Sequence, residues 1–284
     1  MVSFSLISIT FLLITTTGLW AKKAPYIWMP GLVLFGLFGM LSKHINLVGI
    51  VFIIVLMASY YAYSHWKSLM IRILSGTSFF ILTILMLLHK VPGIENWMIF
   101  KDIQLAPDSI PYSLYFNFDS PFIGISILLF ALPLLANFAD WKNLIKKIIP
   151  LAGMTIIALI ILSYLLGYIR FNPKIISFFW IWVIHNLFFT CITEEGFFRG
   201  FLQNLFCEFF SKVKYGQWIG VAIASVLFGI AHFAGGPKYI FLATIAGLFY
   251  GTTYLKTKRI EASILVHFLL NTTHFLLFSY PALI

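Results

Sequence analysis

Charged side chains are scarce in this chain of 284 residues. They make up 10% of the sequence, and the acidic residues number nine. Hydrophobic residues reach 61% and the mean hydropathy is +0.98, far from the composition of a soluble domain of this length. The shortage of charge excludes a water-soluble globular fold. It predicts an all-α protein, a polytopic bundle of transmembrane helices.

Cysteine is also scarce, and the basic residues are dispersed. Cys191 and Cys207 both lie in apolar helical sequence, and two thiols provide neither a disulfide framework nor the spacing of a zinc site. The net charge of +10 suggests a nucleic-acid partner at first sight. However, the Lys and Arg residues lie in short gaps between apolar runs, where they set membrane topology. The expected partner is therefore the lipid bilayer, and nucleic acid is excluded.

Apolar runs long enough to cross about 30 Å of hydrocarbon recur along the whole chain. They predict about eight to ten spans, and the pattern itself indicates ten. The predicted spans are 3–20, 27–42, 46–63, 69–88, 121–138, 147–168, 175–193, 217–234, 239–255 and 261–280. The segment 89–120 is the one long polar loop, which we expect to lie outside the cell.

Positive charge predicts the orientation of these spans. Lys22 and Lys23 follow the first apolar run instead of preceding it, so this run is interpreted as a retained span with its N-terminus outside. Gaps after odd-numbered spans hold 13 of the 19 basic residues, Arg199 among them, and are therefore predicted to be cytoplasmic. Ionisable residues at membrane depth are concentrated in residues 146–284. We therefore divide the chain into an N-terminal region, 1–145, of unknown role and a C-terminal functional core, 146–284.

An acidic pair stands out in this core. Glu194 and Glu195 follow an apolar run directly, and Arg199 comes four residues after the second carboxylate. A carboxylate at membrane depth costs on the order of 2.5–3.5 kcal/mol on insertion scales, which makes it a candidate functional group. On an α-helix Glu195 and Arg199 can pair on one face, which leaves Glu194 to act as a base. A buried ion pair that only fixes helix packing is the structural alternative.

Two further polar clusters follow on later apolar segments. His232 ends the run Phe228-Gly229-Ile230-Ala231, just before a break at Gly235-Gly236-Pro237. His267 and Asn271 lie four residues apart, so a helix places them on one face. Taken singly, an interfacial histidine or a polar stripe that holds helices together explains each cluster. A turn near Lys212 to Gln217 is predicted to join two antiparallel helices of this region.

Together these side chains can perform chemistry. A carboxylate, two imidazoles and an amide can deprotonate a water molecule and stabilise an oxyanion. Glutamate and histidine are also ordinary zinc ligands, so a metal site made of Glu194, His232 and His267 is the alternative. A third interpretation is a transporter that uses the two glutamates as a proton relay. Paired broken helices in two repeats would favour it, and the sequence has no such repeat.

The ordered set of motifs resembles the CPBP family, also called the ABI family. These are the CAAX proteases and bacteriocin-processing proteins, and they include the type II CAAX prenyl endopeptidases. Glu-Glu-x-x-x-Arg, Phe-x-x-x-His and His-x-x-x-Asn follow one another on consecutive hydrophobic segments over roughly residues 175–275. All motif positions match. The resemblance implies an intramembrane endopeptidase in a multi-pass membrane protein, with the bacterial inner membrane as the expected location.

The resemblance also implies roles for these residues. Glu194 would activate the water together with His232, while His267 and Asn271 would stabilise the oxyanion of the tetrahedral intermediate. The substrate would be a peptide or a membrane-anchored protein, prenylated or not. A non-catalytic scaffold or immunity protein that retains the fold is the alternative function.

Glu195 and Arg199 would support the first carboxylate. We expect no cofactor, because the chain has no His-Glu-x-x-His and because asparagine suits an oxyanion better than a metal. Zinc bound by Glu194, His232 and His267 remains the alternative within the same family.

Overall fold

The computed structural model describes residues 2–21 and 25–284, so Lys22 and Lys23 lie outside the described residues. The α-helices are α1 (Val2–Gly18), α2 (Pro25–Leu41), α3 (Leu47–His65), α4 (Leu69–Leu87), α5 (Pro121–Phe130), α6 (Phe138–Leu165), α7 (Phe179–Ile184), α8 (Ile192–Glu195), α9 (Asn204–Phe209), α10 (Gly216–Ala231), α11 (Gly236–Thr257) and α12 (Ile260–Leu277). Two π-helical segments, His185–Cys191 and Gly196–Gln203, flank α8. A 3-10 turn, Phe233–Gly235, separates α10 from α11.

The predicted fold class is confirmed: this is an all-α, multi-pass membrane protein. Among the described residues, α3, α4, α6 and α12 are long and apolar enough to cross a membrane, and the bent pair of α10 and α11 counts as a fifth span if it crosses as one. Shorter apolar helices lie at Val2–Gly18, Trp28–Leu41 and Pro121–Phe130. The four or five full-length candidates among the described residues are fewer than the eight to ten spans predicted, and the three shorter apolar helices account for part of the difference.

Local backbone chemistry explains several of the differences in span boundaries. The predicted span 121–138 ends at Phe130, shortly before Pro133, which has no N–H and disfavours helix in the residue before it. Helix α6 begins nine residues before the predicted 147, because the Asn137 side chain accepts a hydrogen bond from the Asp140 N–H and caps the helix there. Within the predicted span 175–193, helix begins only at Phe179. Helix α7 ends at Ile184, and the next segment, His185–Cys191, is π-helix.

The segment 89–120, predicted as a polar loop, contains a small sheet. Strands β1 (Trp97–Ile103) and β2 (Tyr112–Phe116) pair in a two-stranded arrangement. Both strands are rich in aromatic and β-branched side chains, which favour extended backbone. The Ser113 hydroxyl accepts a hydrogen bond from the Asp102 N–H and donates one to the Asp102 carboxylate, linking the two strands at the hairpin.

The chain forms two compact units. The first comprises the described residues of Met1–Ile99, with Tyr115–Ala136 and Phe188–Gly196; the second comprises Phe100–Leu114, Asn137–Leu187 and Phe197–Ile284. The units therefore alternate along the sequence. The division of the chain at residue 145 stays a prediction.

Close backbone approach organises the first unit, in which α1 packs on α2, α3 on α4 and α5, and α5 on α8. At the contact between α5 and α8, a Cβ on Gly124 would lie 2.8 Å from the Ile192 carbonyl oxygen. A Cβ on Gly196 would lie 3.1 Å from the Cα of Gly124. The Thr193 hydroxyl adds a hydrogen bond to the Ser120 carbonyl, 3.3 Å. Small residues therefore allow α5 to support the short helix that ends in the two glutamates.

Helices α10 and α11 pack closely against each other in the second unit. A Cβ on Gly229 would lie 2.7 Å from the Ile240 carbonyl oxygen, and a Cβ on Gly247 would lie 3.1 Å from the Cα of Ser225. The two helices are bent by 58° at the residues between them, which confirms the predicted break near Gly235-Gly236-Pro237. The predicted turn before α10 is also present, between the end of α9 and Gly216.

Enlarging Gly124 tests whether close packing supports the acidic helix. We expect Gly124→Ala to lower the free energy of unfolding by about 1–3 kcal/mol, the usual cost of overpacking a tight contact, because the neighbouring atom is a backbone oxygen that cannot rotate away. The measurement is thermal unfolding of the purified protein in detergent. Gly153→Ala in α6 is the matched control, since a Cβ there meets nothing within 4 Å. Equal melting temperatures for the two variants would contradict this account.

Candidate active site

Helix α8 carries the acidic pair at its C-terminal end. Glu195 has no exposed surface, whereas its neighbour Glu194 is partly exposed. The π-helical segments on either side of α8 have wider turns than an α-helix, and such turns occur frequently at functional sites. Two adjacent carboxylates are therefore held in different environments. The regular α-helix expected around Glu195 and Arg199 is replaced by π-helix from Gly196 onward.

Arg199 is fully buried in the second unit, although it was counted above among the basic residues of a polar gap. Its guanidinium carbon lies 4.9 Å from the ring centroid of Phe228, 5.8 Å from that of Tyr250 and 5.9 Å from that of Phe198. Aromatic faces carry negative partial charge and attract a cation placed over them. Three rings from three different segments thus surround this charge.

Hydrogen bonds hold the π-helical segment of Arg199 against α11. The Gln203 side chain, which is buried, donates from Nε2 to the Gly251 carbonyl at 3.0 Å. Next to it, Asn204 Nδ2 donates to the Tyr254 hydroxyl, also at 3.0 Å. A Cβ at Gly251 would lie 2.7 Å from the Gln203 side-chain oxygen, so a larger residue there would displace the Gln203 amide. These contacts fix the position of the π-helical segment Gly196–Gln203 along the axis of α11.

His232 lies at the C-terminal cap of α10, where the helix gives way to the 3-10 turn. Its Nδ1 is 2.7 Å from the Phe228 carbonyl oxygen. A carbonyl only accepts, so Nδ1 carries the proton, and Nε2 is the acceptor atom of the neutral imidazole. The ring of Tyr239 meets the imidazole edge-on, with centroids 5.1 Å apart. The bend between α10 and α11 therefore presents His232 in the tautomer that a proton acceptor requires.

His267 and Asn271 lie one turn apart on α12, as the spacing predicted. His267 is buried and Asn271 is partly exposed. The imidazole of His267 stacks on the ring of Tyr250, with centroids 4.5 Å apart and planes 17° apart. Phe228 meets the same imidazole edge-on at 6.0 Å. One stacked ring and one edge-on ring thus contact this histidine.

Phe228 connects three of the predicted residues. Its ring lies against the Arg199 guanidinium, 4.6 Å from the ring of His232, and beside the ring of His267. Sequence reasoning included Phe228 in a motif without assigning it a role, and it missed Tyr250. No motif or spacing in the sequence marks this tyrosine. Arg199, His232, His267 and Asn271 belong to the second unit, and Glu194 and Glu195 belong to the first.

Metal ligation is a separate question. Within residues 2–21 and 25–284, no group of three or more His, Cys, Asp or Glu side chains has an arrangement that could hold a metal ion. The alternative zinc site of Glu194, His232 and His267 takes its residues from both units and stays a prediction. Neither Cys191 nor Cys207 forms a disulfide, as predicted.

Comparison with known proteins gives one match. Residues 176–273 match the family model described as type II CAAX prenyl endopeptidase Rce1-like. The curated proteins and the solved structures give no match to this chain. The matched segment contains the acidic pair, Arg199, both histidines and Asn271, in the order that the motifs predict. This match agrees with the resemblance to the CPBP family that the ordered motifs indicate: residues 176–273 are similar to the type II CAAX prenyl endopeptidases of the Rce1-like family.

Proposed function

We propose that this protein is an intramembrane endopeptidase that hydrolyses a peptide bond by attack of an activated water molecule. One observation carries the proposal: Arg199, His232 and His267, taken from three separate motifs, contact the same buried ring of Phe228. The three motif segments of the second unit thus meet at one buried ring. The family match supports the protease class, and the mechanism below is our proposal.

The first step is deprotonation of water. The Glu194 carboxylate takes a proton from the water, while Nε2 of His232 accepts a hydrogen bond from the same molecule and orients it. The water oxygen forms a bond to the carbonyl carbon of the peptide, and the carbonyl electron pair moves onto oxygen. Nε2 can accept in this way because Nδ1 is engaged with the Phe228 carbonyl. A partly exposed Glu194 suits contact with water better than the fully buried Glu195.

The second step is collapse of the tetrahedral intermediate. A ring N–H of His267 and the side-chain amide of Asn271 donate hydrogen bonds to the oxyanion, for which their positions one helical turn apart are suitable. The carbon–nitrogen bond breaks, and Glu194 returns its proton to the leaving nitrogen. The products are a carboxylate and an amine. Glu195 and Arg199 support the catalytic carboxylate electrostatically, and no step requires a metal or another cofactor.

The location of the protein in a membrane indicates the class of its substrate. We propose a peptide or membrane-anchored protein whose scissile bond lies near or within the bilayer, and the bacterial inner membrane as the location. The matching family is described by prenyl endopeptidases, so prenylated CAAX peptides belong in the first substrate panel together with unprenylated ones.

Replacing the proposed base tests the mechanism. We expect Glu194→Gln, and separately His232→Ala, to reduce cleavage by about 10²–10⁴-fold, the usual contribution of general acid–base catalysis. Purified protein in detergent is offered a farnesylated CAAX peptide, its unprenylated twin and a panel of membrane-segment peptides, and the products are identified by mass spectrometry. Glu208→Gln is the matched control, because Glu208 is exposed on α9.

Normal cleavage by both site variants would refute the mechanism. If the wild type folds and cleaves none of the peptides, the result favours the non-catalytic scaffold.

Metal removal separates the two mechanisms proposed for the family. We expect cleavage by the wild type to be unchanged after incubation with a zinc chelator, since the proposed steps use only side chains and water. The measurement compares initial rates before and after chelation. A rate lost on chelation and restored by added zinc would overturn the metal-free mechanism.

Substitution of Arg199 tests the contribution of the three rings around its guanidinium, those of Phe198, Phe228 and Tyr250. Lysine keeps the charge but loses the planar, weakly hydrated guanidinium that suits a buried position among rings. We expect Arg199→Lys to lower both the melting temperature and the cleavage rate, with a loss of stability of about 2 kcal/mol, as for a desolvated cation–π contact. The control is Arg170→Lys, because Arg170 forms an exposed ion pair with Asp108, whose contribution is small. Equal effects at both positions would contradict this role.

A further inference from the structure

Tyr250 is a fully buried tyrosine that belongs to none of the motifs. One face of its ring lies nearly parallel to the imidazole of His267, with centroids 4.5 Å apart. The Arg199 guanidinium carbon lies 5.8 Å from the same ring centroid, and Phe228 contacts the ring edge-on at 6.0 Å. Tyr250 therefore contacts residues of all three motif-bearing segments of the second unit.

Two side-chain hydrogen bonds hold the backbone carbonyls of Tyr250 and Gly251. The Ser263 hydroxyl of α12 donates to the Tyr250 carbonyl at 3.4 Å. The Gln203 side chain donates to the next carbonyl, that of Gly251, at 3.0 Å. Ser263 and Gln203 are both fully buried, so water does not compete for these bonds. The position of Tyr250 is thus fixed relative to α12 and to the π-helical segment at the same time.

Helix α12 contacts both the backbone and the ring of Tyr250. Ser263 lies one helical turn before His267 on α12, so the helix that anchors the Tyr250 backbone is also the helix whose histidine stacks on the Tyr250 ring. A stacked imidazole loses rotational freedom about its Cβ–Cγ bond, because turning the ring out of the parallel plane would cost the contact. The edge-on ring of Phe228 limits the same rotation from another side. These two contacts restrict the directions that the His267 ring N–H bonds can take.

We propose that Tyr250 is a positioning residue for the hydrolysis, which holds the His267 imidazole in the plane needed to donate to the oxyanion. This inference rests on the proposed function of His267. Tyr250 does not touch the substrate in this account and acts through the histidine. A misoriented imidazole would still allow substrate to bind, but it would no longer stabilise the transition state. Loss of the Tyr250 ring should therefore lower kcat and leave KM unchanged.

The test replaces the ring and then restores it. We expect Tyr250→Leu to lower kcat by about 10-fold or more while KM stays within about twofold, the pattern of an interaction made in the transition state. We expect Tyr250→Phe, which keeps the stacking face, to restore most of the rate. The control is Phe241→Leu, because Phe241 is an aromatic residue on the same helix α11 with 48% of its surface exposed. An unchanged kcat in folded Tyr250→Leu would overturn the proposal, as would equal losses in the Leu and Phe variants.

A spectroscopic readout keeps this inference separate from the proposed function. Histidine labelled in the imidazole ring is observed by NMR, and the His267 signal is assigned by its loss in His267→Ala. Because loss of a neighbouring ring shifts the signal by itself, the readout in Tyr250→Leu is the set of nuclear Overhauser contacts between the His267 imidazole and the Phe228 ring. We expect these contacts to change in Tyr250→Leu and to stay as in the wild type in Tyr250→Phe. If the wild type cleaves no peptide, the proposed function fails and these contacts alone decide the positioning. Wild-type contacts in Tyr250→Leu refute it.

Ser263→Ala is the second variant, should Tyr250→Leu fail to fold. It deletes one hydroxyl and leaves the ring in place, so we expect a smaller drop in kcat at unchanged KM and a smaller change in the same nuclear Overhauser contacts. A wild-type rate and wild-type contacts in this variant would overturn the proposal.

Discussion

A guanidinium with no exposed surface lies among three aromatic rings in the second unit. Burying such a charge in an apolar protein is costly unless its surroundings compensate. The rings of Phe198, Phe228 and Tyr250 contribute attraction through their faces. Phe228 also contacts His232 and His267, and Tyr250 stacks on His267, so two of the three rings around the charge also contact the imidazoles. The packing of Phe228 and Tyr250 therefore affects both the stabilisation of buried Arg199 and the orientation of the histidines.

Small residues and wide helical turns make this arrangement possible. Glycines allow α10 and α11 to approach closely, and another glycine allows α5 to support α8 in the first unit. The π-helical segments change the spacing at which side chains return to the same face. The acidic pair is thus not followed by a regular α-helix, and its neighbours cannot be placed by counting 3.6 residues per turn.

The tautomer of His232 connects the fold to the chemistry. The imidazole lies where α10 ends, and its Nδ1 donates to the Phe228 carbonyl one turn earlier on the same helix. With the proton on Nδ1, Nε2 is the acceptor atom of the neutral ring. The end of α10 thus determines the position of His232, and this hydrogen bond determines which ring nitrogen accepts.

The amino-acid sequence by itself determined that this is an all-α, multi-pass membrane protein, because hydropathy and scarcity of charge depend on composition. It also located the break at Gly235-Gly236-Pro237 and the ordered motifs, since these are local in the chain. Hydropathy does not register where a proline, a cap or a π turn interrupts a helix, and so the described residues hold fewer full-length spans than predicted and α6 begins earlier than predicted. Only the tertiary structure decided that Arg199 is buried and that Tyr250 lies on His267. Those contacts join residues some 17 to 51 positions apart in the sequence, and their free energy comes from packing between helices, which no local pattern records.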